Sequence, residues 1–221
     1  MPQAPATFAE SVMDQITEDI VHGRLMPGSK LRIDELRKRY GMGASPLREA
    51  LARLHAQGFV TNESRRGFRV APVSKQDIRE ITEVRSLIEL KALETSMVLG
   101  GKDWEEQIVM QMARLRHVVR LADDGLVNLD PEVDVVHEDY HRSLIAGCQS
   151  PRLIGLQETY YDLAKRYRIL AFKHTPSKHD FIERHEILTD IVLSRRLEAA
   201  LAELRRHLDL IAVNLPEDLP E

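Results

Sequence analysis

Four histidines stand where their ring nitrogens can meet. His137 and His141, in the stretch HEDYH at 137–141, are four residues apart and lie on one side of a helix. Leu144 and Ile145 extend that side, so it faces inward. His185 sits among Ile182, Leu188 and Thr189 in a later segment, and His207 lies between Leu204 and Ile211 in another. Each buried imidazole brings polar nitrogens that need partners. A divalent transition metal held by His137, His141, His185 and His207 would supply one partner to all four.

The same five residues fit H-E-x-x-H, in which two histidines hold zinc and the glutamate is the general base of a peptidase. For that chemistry Glu138 must face a metal-bound water, yet it lies about 100° round the helix from His137. The longer zinc-peptidase pattern also fails: Leu144 occupies the glycine position and Gly147 the last histidine position. Hydrolysis is therefore the weakest reading of these residues. Cys148, two turns beyond His141, is too far along the axis to share the metal and reads as a small buried residue.

The elements that carry the histidines are helical throughout. Apolar stripes of helical period run over 75–99, 103–123, 131–147, 151–173, 179–193 and 196–213. Turn formers separate them at Gly100-Gly101, Asp123-Asp124-Gly125, Gln149-Ser150-Pro151 and Thr175-Pro176. Six helices of this length make a bundle. The segment after Asn214 is expected to fray.

The first third is built differently. Within residues 24–69 there are 11 Lys/Arg against 4 Asp/Glu, although the whole chain of 221 residues carries a net charge of −4. A basic front and an acidic back predict two domains, of which the front suits a polyanion. Phe8, Val12, Ile16 and Ile20 recur every four residues as one greasy helical face, which Gly23 ends. Leu31 follows in a short strand and Leu36 in a short helix. In GMGASPLREALARLHAQGF, Gly41 and Gly43 permit a turn, Ser45 is the expected cap and Pro46 the expected first helical residue. Leu47, Ala50, Leu51 and Leu54 form the buried stripe, with Arg48, Glu49, Ala52 and Arg53 outside. Two β-prone runs, 59–62 and 67–71, flank Glu63-Ser64-Arg65-Arg66. Helix, turn, helix and a hairpin tipped by arginines predict a winged helix-turn-helix that presents Ser45 and Arg48 to a major groove and the hairpin to an adjacent groove or backbone.

Residues 20–72 resemble the winged helix of the GntR family of bacterial regulators, in the Pro-Gly turn before a short strand, Pro-Leu-Arg-Glu-Ala-Leu in the recognition helix and Arg-Gly-Phe in the wing. The resemblance implies DNA contacts from Arg32, Ser45, Pro46, Arg48, Arg65, Arg66 and Gly67. Ala44 departs from it, standing where many members have a base-reading arginine. The histidine spacing is similar to the all-helical effector domain of the FCD branch, where an acid-x-x-x-His pair and two later histidines commonly hold a metal beneath a ligand cavity. Here His137 stands where an aspartate is usual, which favours zinc, with nickel or copper as alternatives, over harder ions.

A cavity above such a metal suits a small carboxylate shared with a fixed arginine. Arg85 and Arg168 are the candidates for that arginine, and Tyr160 and Tyr167 for an added hydroxyl. Within the family the resemblance is strongest to glutarate-responsive members, in KLR…RY, RGFRV, Asp-Trp-Glu after the double glycine, Ile-Ala-Gly-Cys and Arg-Tyr-Arg. It implies a short dicarboxylate such as glutarate.

The expectation is thus a mostly α protein: a winged helix-turn-helix DNA-binding domain over 1–72, a linker at 73–75, an all-α ligand- and metal-binding bundle over 76–214 and a frayed tail at 215–221. It is expected to be a cytoplasmic homodimer, since a two-fold pair of recognition helices meets a palindromic operator. No apolar run is long enough to span a bilayer, and the lone Cys148 allows no internal disulfide. An alternative keeps the DNA module and makes the metal itself the signal.

Overall fold

Thr7 and Glu10 open the first helix with reciprocal hydrogen bonds. The Thr7 hydroxyl accepts from the Glu10 N–H at 3.2 Å, and the Glu10 carboxylate accepts from the Thr7 N–H at 2.8 Å. The computed structural model describes residues 7–63, 67–123, 127, 130–171, 177–213, 215 and 219–221, the side chains of 63 and 168–171 excepted. The chain divides into two units, Met1–Ser74 and Lys75–Glu221.

In the first unit, α1 (Phe8–Val21) buries Ala9, Val12, Ile16 and Ile20. Phe8, expected on that stripe, is 75% exposed: it is the first helical residue, and the buried face begins one position later. Next come β1 (Lys30–Leu31), α2 (Ile33–Tyr40) and α3 (Ala44–Ala56). Gly41 closes α2 in a left-handed conformation (φ 65°), which a side chain rarely adopts. The hairpin of β2 (Val60–Glu63) and β3 (Gly67–Val70) pairs antiparallel with Thr61 opposite Arg69, and β1 adds to β3 with Leu31 opposite Phe68, giving the order β1-β3-β2.

Asp19, buried on α1, ties this unit together. It accepts from Arg24 Nε at 2.5 Å and from the Tyr40 hydroxyl at 2.6 Å, and it pairs with Arg39 at 2.6 Å. Burial pushes its carboxyl up, but the bonds from Tyr40 and Arg24 and the Arg39 charge outweigh that and hold it below the ordinary aspartate value.

The second unit is a helical bundle: α4 (Lys75–Leu99), α5 (Lys102–Leu121), α6 (Pro131–Ile145) with a 3-10 turn (Ala146–Cys148), α7 (Pro151–Ala171), α8 (Lys178–Leu193) and α9 (Leu197–Val213). Asp130 accepts from the N–H groups of Glu132 and Val133 to start α6, with Pro131 at the first helical position. Gly100 is required where α4 gives way to α5: a Cβ there would stand 2.4 Å from the Trp104 ring. Arg195 closes the same corner, its guanidinium 4.9 Å from the Trp104 ring centre and donating to the carbonyls of Met97 and Gly100.

The bundle interior has two halves. Ala92, Leu93 and Met97 of α4 join side chains of α5, α6, α8 and α9 in one hydrocarbon core. The other half is richer in polar groups: Thr82, Arg85, Ser86 and Glu89 of α4, Gln157, Lys165 and Arg166 of α7, and His137, His141 and His185 are buried there among Ile78, Ile81, Leu163 and Ala164. The described end of the chain does not stand apart as a frayed tail. Pro220 O accepts from the Lys75 N–H at 2.7 Å, and Glu221 pairs with Lys75 Nζ at 3.0 Å. Among the described residues no helix is long and apolar enough to cross a membrane.

Asp19→Asn is expected to destabilise the chain at pH 7 by about 1–3 kcal/mol in urea unfolding, since three donors lose a charged acceptor. The native carboxyl lies below its unfolded value, so its contribution is present above about pH 4 and is lost as the pH falls through the native value. The difference between wild type and variant should accordingly shrink on acidification.

Candidate functional site

Helices α6, α8 and α9 bring the four imidazoles to one point. His137 Nε2 lies 2.9 Å from His185 Nε2 and 3.0 Å from His141 Nε2, and His141 Nε2 lies 3.2 Å from His207 Nε2. His137, His141 and His185 are buried and His207 is half-buried. The local causes are plain. Four-residue spacing aligns His137 with His141, while Leu188 and Val192 on α8, and Leu204 and Leu208 on α9, turn His185 and His207 inward with the core.

Two contacts orient the rings from behind. His185 Nδ1 donates to Phe181 O, one turn earlier on α8, which leaves Nε2 with its lone pair aimed at the cluster. His137 Nδ1 is bonded to the Tyr161 hydroxyl at 2.9 Å. Tyr140 locks α6 onto α8, its hydroxyl donating to His185 O at 3.0 Å and meeting Thr189 Oγ1 at 2.9 Å. Burial pushes the Tyr140 phenol well above its ordinary value, so it stays a neutral donor.

These four residues could hold a metal ion, their candidate ligand atoms all lying within 4.8 Å of one another. The contacts of 2.9 to 3.2 Å match neighbouring ligands around one ion with bonds of about 2.0–2.1 Å. Four neutral imidazoles suit a borderline transition metal. Glu138 is half-buried and is not a member of the converging set.

Arg85 approaches from α4. It is 4% exposed, its Nε donates to Glu89 at 2.8 Å, and its guanidinium stands 5.2 Å from the centre of the Tyr161 ring whose hydroxyl holds His137. Burial pushes the Glu89 carboxyl up despite the Arg85 charge. The other expectations for this region fare unevenly. Tyr160 is only half-buried, and the tyrosine at the cluster is its neighbour Tyr161. Tyr167 is fully buried but spends its hydroxyl on Asp77 at 2.5 Å. The Arg168 side chain lies outside the described residues. Sequence reasoning missed Arg166, which is 1% exposed, and the buried ion pair between Lys165 of α7 and Asp134 of α6. Lys165 is one turn beyond Tyr161 and Asp134 one turn before His137, so that pair and the Tyr161–His137 bond are two rungs joining the same helices.

In the first unit, α3 begins earlier than expected. Gly43 is its N-cap, with no side-chain bond, so Ser45 and Pro46 are the second and third helical residues. Ser45 therefore does not cap. Pro46 is still tolerated, because the first four N–H groups of a helix have no partner within it. Ser45 and Arg48 are both exposed in the first turns, and Arg48 has no ion-pair partner among the described residues. Arg32 is exposed and pairs with Glu35 at 2.9 Å. Gly67 opens β3 with φ +81°. Arg65 and Arg66 lie outside the described residues.

A family profile described as bacterial regulatory proteins, gntR family, matches residues 8–70, and one described as FCD domain matches residues 80–210. The chain is 34% identical over 197 residues to the HTH-type transcriptional repressor GlaR of Escherichia coli K12, covering 87% of this chain and 89% of that relative. It is 32% identical over 203 residues to the HTH-type transcriptional regulator BphR of Paraburkholderia xenovorans LB400, covering 92% and 83%. Among solved structures, E. coli McbR/YncC shares the fold with a TM-score of 0.76 at 18% identity, over 94% of this chain and 97% of that one.

The buried pair that aligns α6 and α7 should be costly to break. Asp134→Ala strands the Lys165 ammonium, which is 6% exposed, and is expected to destabilise by about 3–5 kcal/mol in denaturant unfolding.

Proposed function

The chain belongs to the GntR family of bacterial regulatory proteins and carries an FCD domain, so it is a DNA-binding transcription regulator and not an enzyme; from that premise we propose a repressor released by a small carboxylate bound beside a metal. The observation that carries the reading is the convergence of four imidazole nitrogens with the buried Arg85 guanidinium over the Tyr161 ring. His137, His141, His185 and His207 would hold the ion, zinc first and nickel or copper after it. When bound, that ion supplies a Lewis acid for a carboxylate oxygen. Arg85 supplies the second positive partner, and Tyr161 orients the His137 ring. Arg168 stands as a further cation for the effector. A short dicarboxylate such as glutarate is the proposed effector, on the resemblance described above.

Operator contact is assigned to Ser45, Pro46 and Arg48 of α3, to Arg65, Arg66 and Gly67 of the wing and to Arg32 as a phosphate contact. One such helix reads few bases, and a homodimer pairs two across a palindrome. The helix that carries Arg85 begins at Lys75, the first residue after the DNA-binding unit, so a change in α4 arrives directly at the junction. Release follows if the effector binds the DNA-free arrangement more tightly than the bound one.

Three measurements test this. Purified protein should carry about one divalent transition metal per chain, and chelation should lower its melting temperature by about 5 °C or more; His141→Ala should abolish both the metal and the chelator effect. Against an operator selected from random duplexes, Arg48→Ala should weaken binding about tenfold or more and flatten the dependence of affinity on salt. Glutarate should release that operator from metal-loaded wild type but not from Arg85→Gln. Release by the metal alone, unaffected by glutarate, would instead assign the signal to the ion.

A further inference from the structure

Gln157 is 1% exposed, and its amide Nε2 has no hydrogen-bond partner among the described residues. An amide N–H2 removed from water without an acceptor is costly, and a folded chain rarely leaves one in place without a use. The position of this one is informative. Gln157 lies four residues before Tyr161, on the same face of α7 and one helical turn away. That face enters the polar half of the bundle, where Tyr161 reaches His137, the Arg85 guanidinium stands over the Tyr161 ring and Lys165 reaches Asp134. Arg85 and Lys165 each already face a carboxylate, in Glu89 and Asp134. Gln157 Nε2 is a donor lacking an acceptor among the described residues.

We infer that Gln157 is a specificity-determining residue of the effector site, its amide donating to an oxygen at the end of a short dicarboxylic acid remote from Arg85. The inference rests on the carboxylate reading given above and adds to it the group that tells two carboxylates from one. A neutral donor suits this task, because it binds the oxygen without a counter-charge of its own to desolvate when the site is empty. A site that hydrogen-bonds its ligand rejects an analogue lacking the bonding group, because the site's own group is then left unpaired. A monocarboxylate of the same chain length lacks the oxygen that Gln157 would read.

The test uses the full-length chain with its metal content measured before and after, and titrates glutarate and pentanoate by calorimetry into wild type, Gln157→Leu and Gln157→Glu. Wild type should prefer glutarate. Gln157→Leu should lose about tenfold in glutarate affinity, the worth of one buried hydrogen bond to a charged group, while its pentanoate affinity stays within about twofold. Gln157→Glu should lose more, because its carboxylate opposes the ligand's. Unliganded Gln157→Leu should melt no lower than wild type, since the amide has no bond to forfeit. If wild type binds glutarate and Gln157→Leu binds it equally, a buried water serves the amide and the inference falls alone. A marked fall in the melting temperature of unliganded Gln157→Leu would assign the residue to stability and overturn the inference as well. Wild type that binds neither acid would remove the carboxylate reading, and this inference with it.

Discussion

An imidazole withdrawn from water must place two ring nitrogens, and here three buried rings and one half-buried ring place one each at a single point. The rest of the second unit serves that constraint. Phe181 O and the Tyr161 hydroxyl occupy Nδ1 of His185 and His137, which turns their Nε2 atoms toward the cluster. Tyr140 binds the backbone of α8 so that the helices contributing His137, His141 and His185 cannot slide past one another. The hydrocarbon core holds α5, α6, α8 and α9 in the arrangement that the rings require.

The division of the bundle interior follows from the same need. The interior positions of α4 and α7 are not all hydrocarbon. Instead α4 presents Arg85 and Glu89, and α7 presents Gln157, Tyr161 and Lys165. Burying these groups costs solvation that only specific partners restore. Polar side chains thus sit beside a hydrocarbon core within one bundle.

The apolar half was legible in the sequence because its periodicity is strong. The six helices of the second unit begin and end within about two residues of the expected limits, apart from α6, whose last residues tighten into a 3-10 turn. The four histidines were legible for a related reason, each standing among leucines or isoleucines that fix its phase. The polar half was not. On α7 the buried positions mix Gln157, Tyr161, Lys165 and Arg166 with Leu163, Ala164 and Tyr167, so hydrophobic period gave only a weak phase, and Tyr160 was preferred where Tyr161 faces the cluster. Pairing of Lys165 with Asp134 depends on how two helices align, which no local pattern encodes. At α3 the signals competed: Ser45-Pro46 reads as cap and first residue, but the helix takes in Ala44 and starts from Gly43, whose backbone needs no side-chain bond. Phe8 shows the opposite limit, a correct period whose first member falls outside the packed face.

Pro220 and Glu221 return to Lys75, a backbone hydrogen bond and an ion pair joining the start of α4 to residues as far as 146 positions along the chain. A contact between segments so distant in sequence closes a long loop and restrains the first turn of α4 from fraying. The helix that carries Arg85 is thus anchored at its start within its own unit.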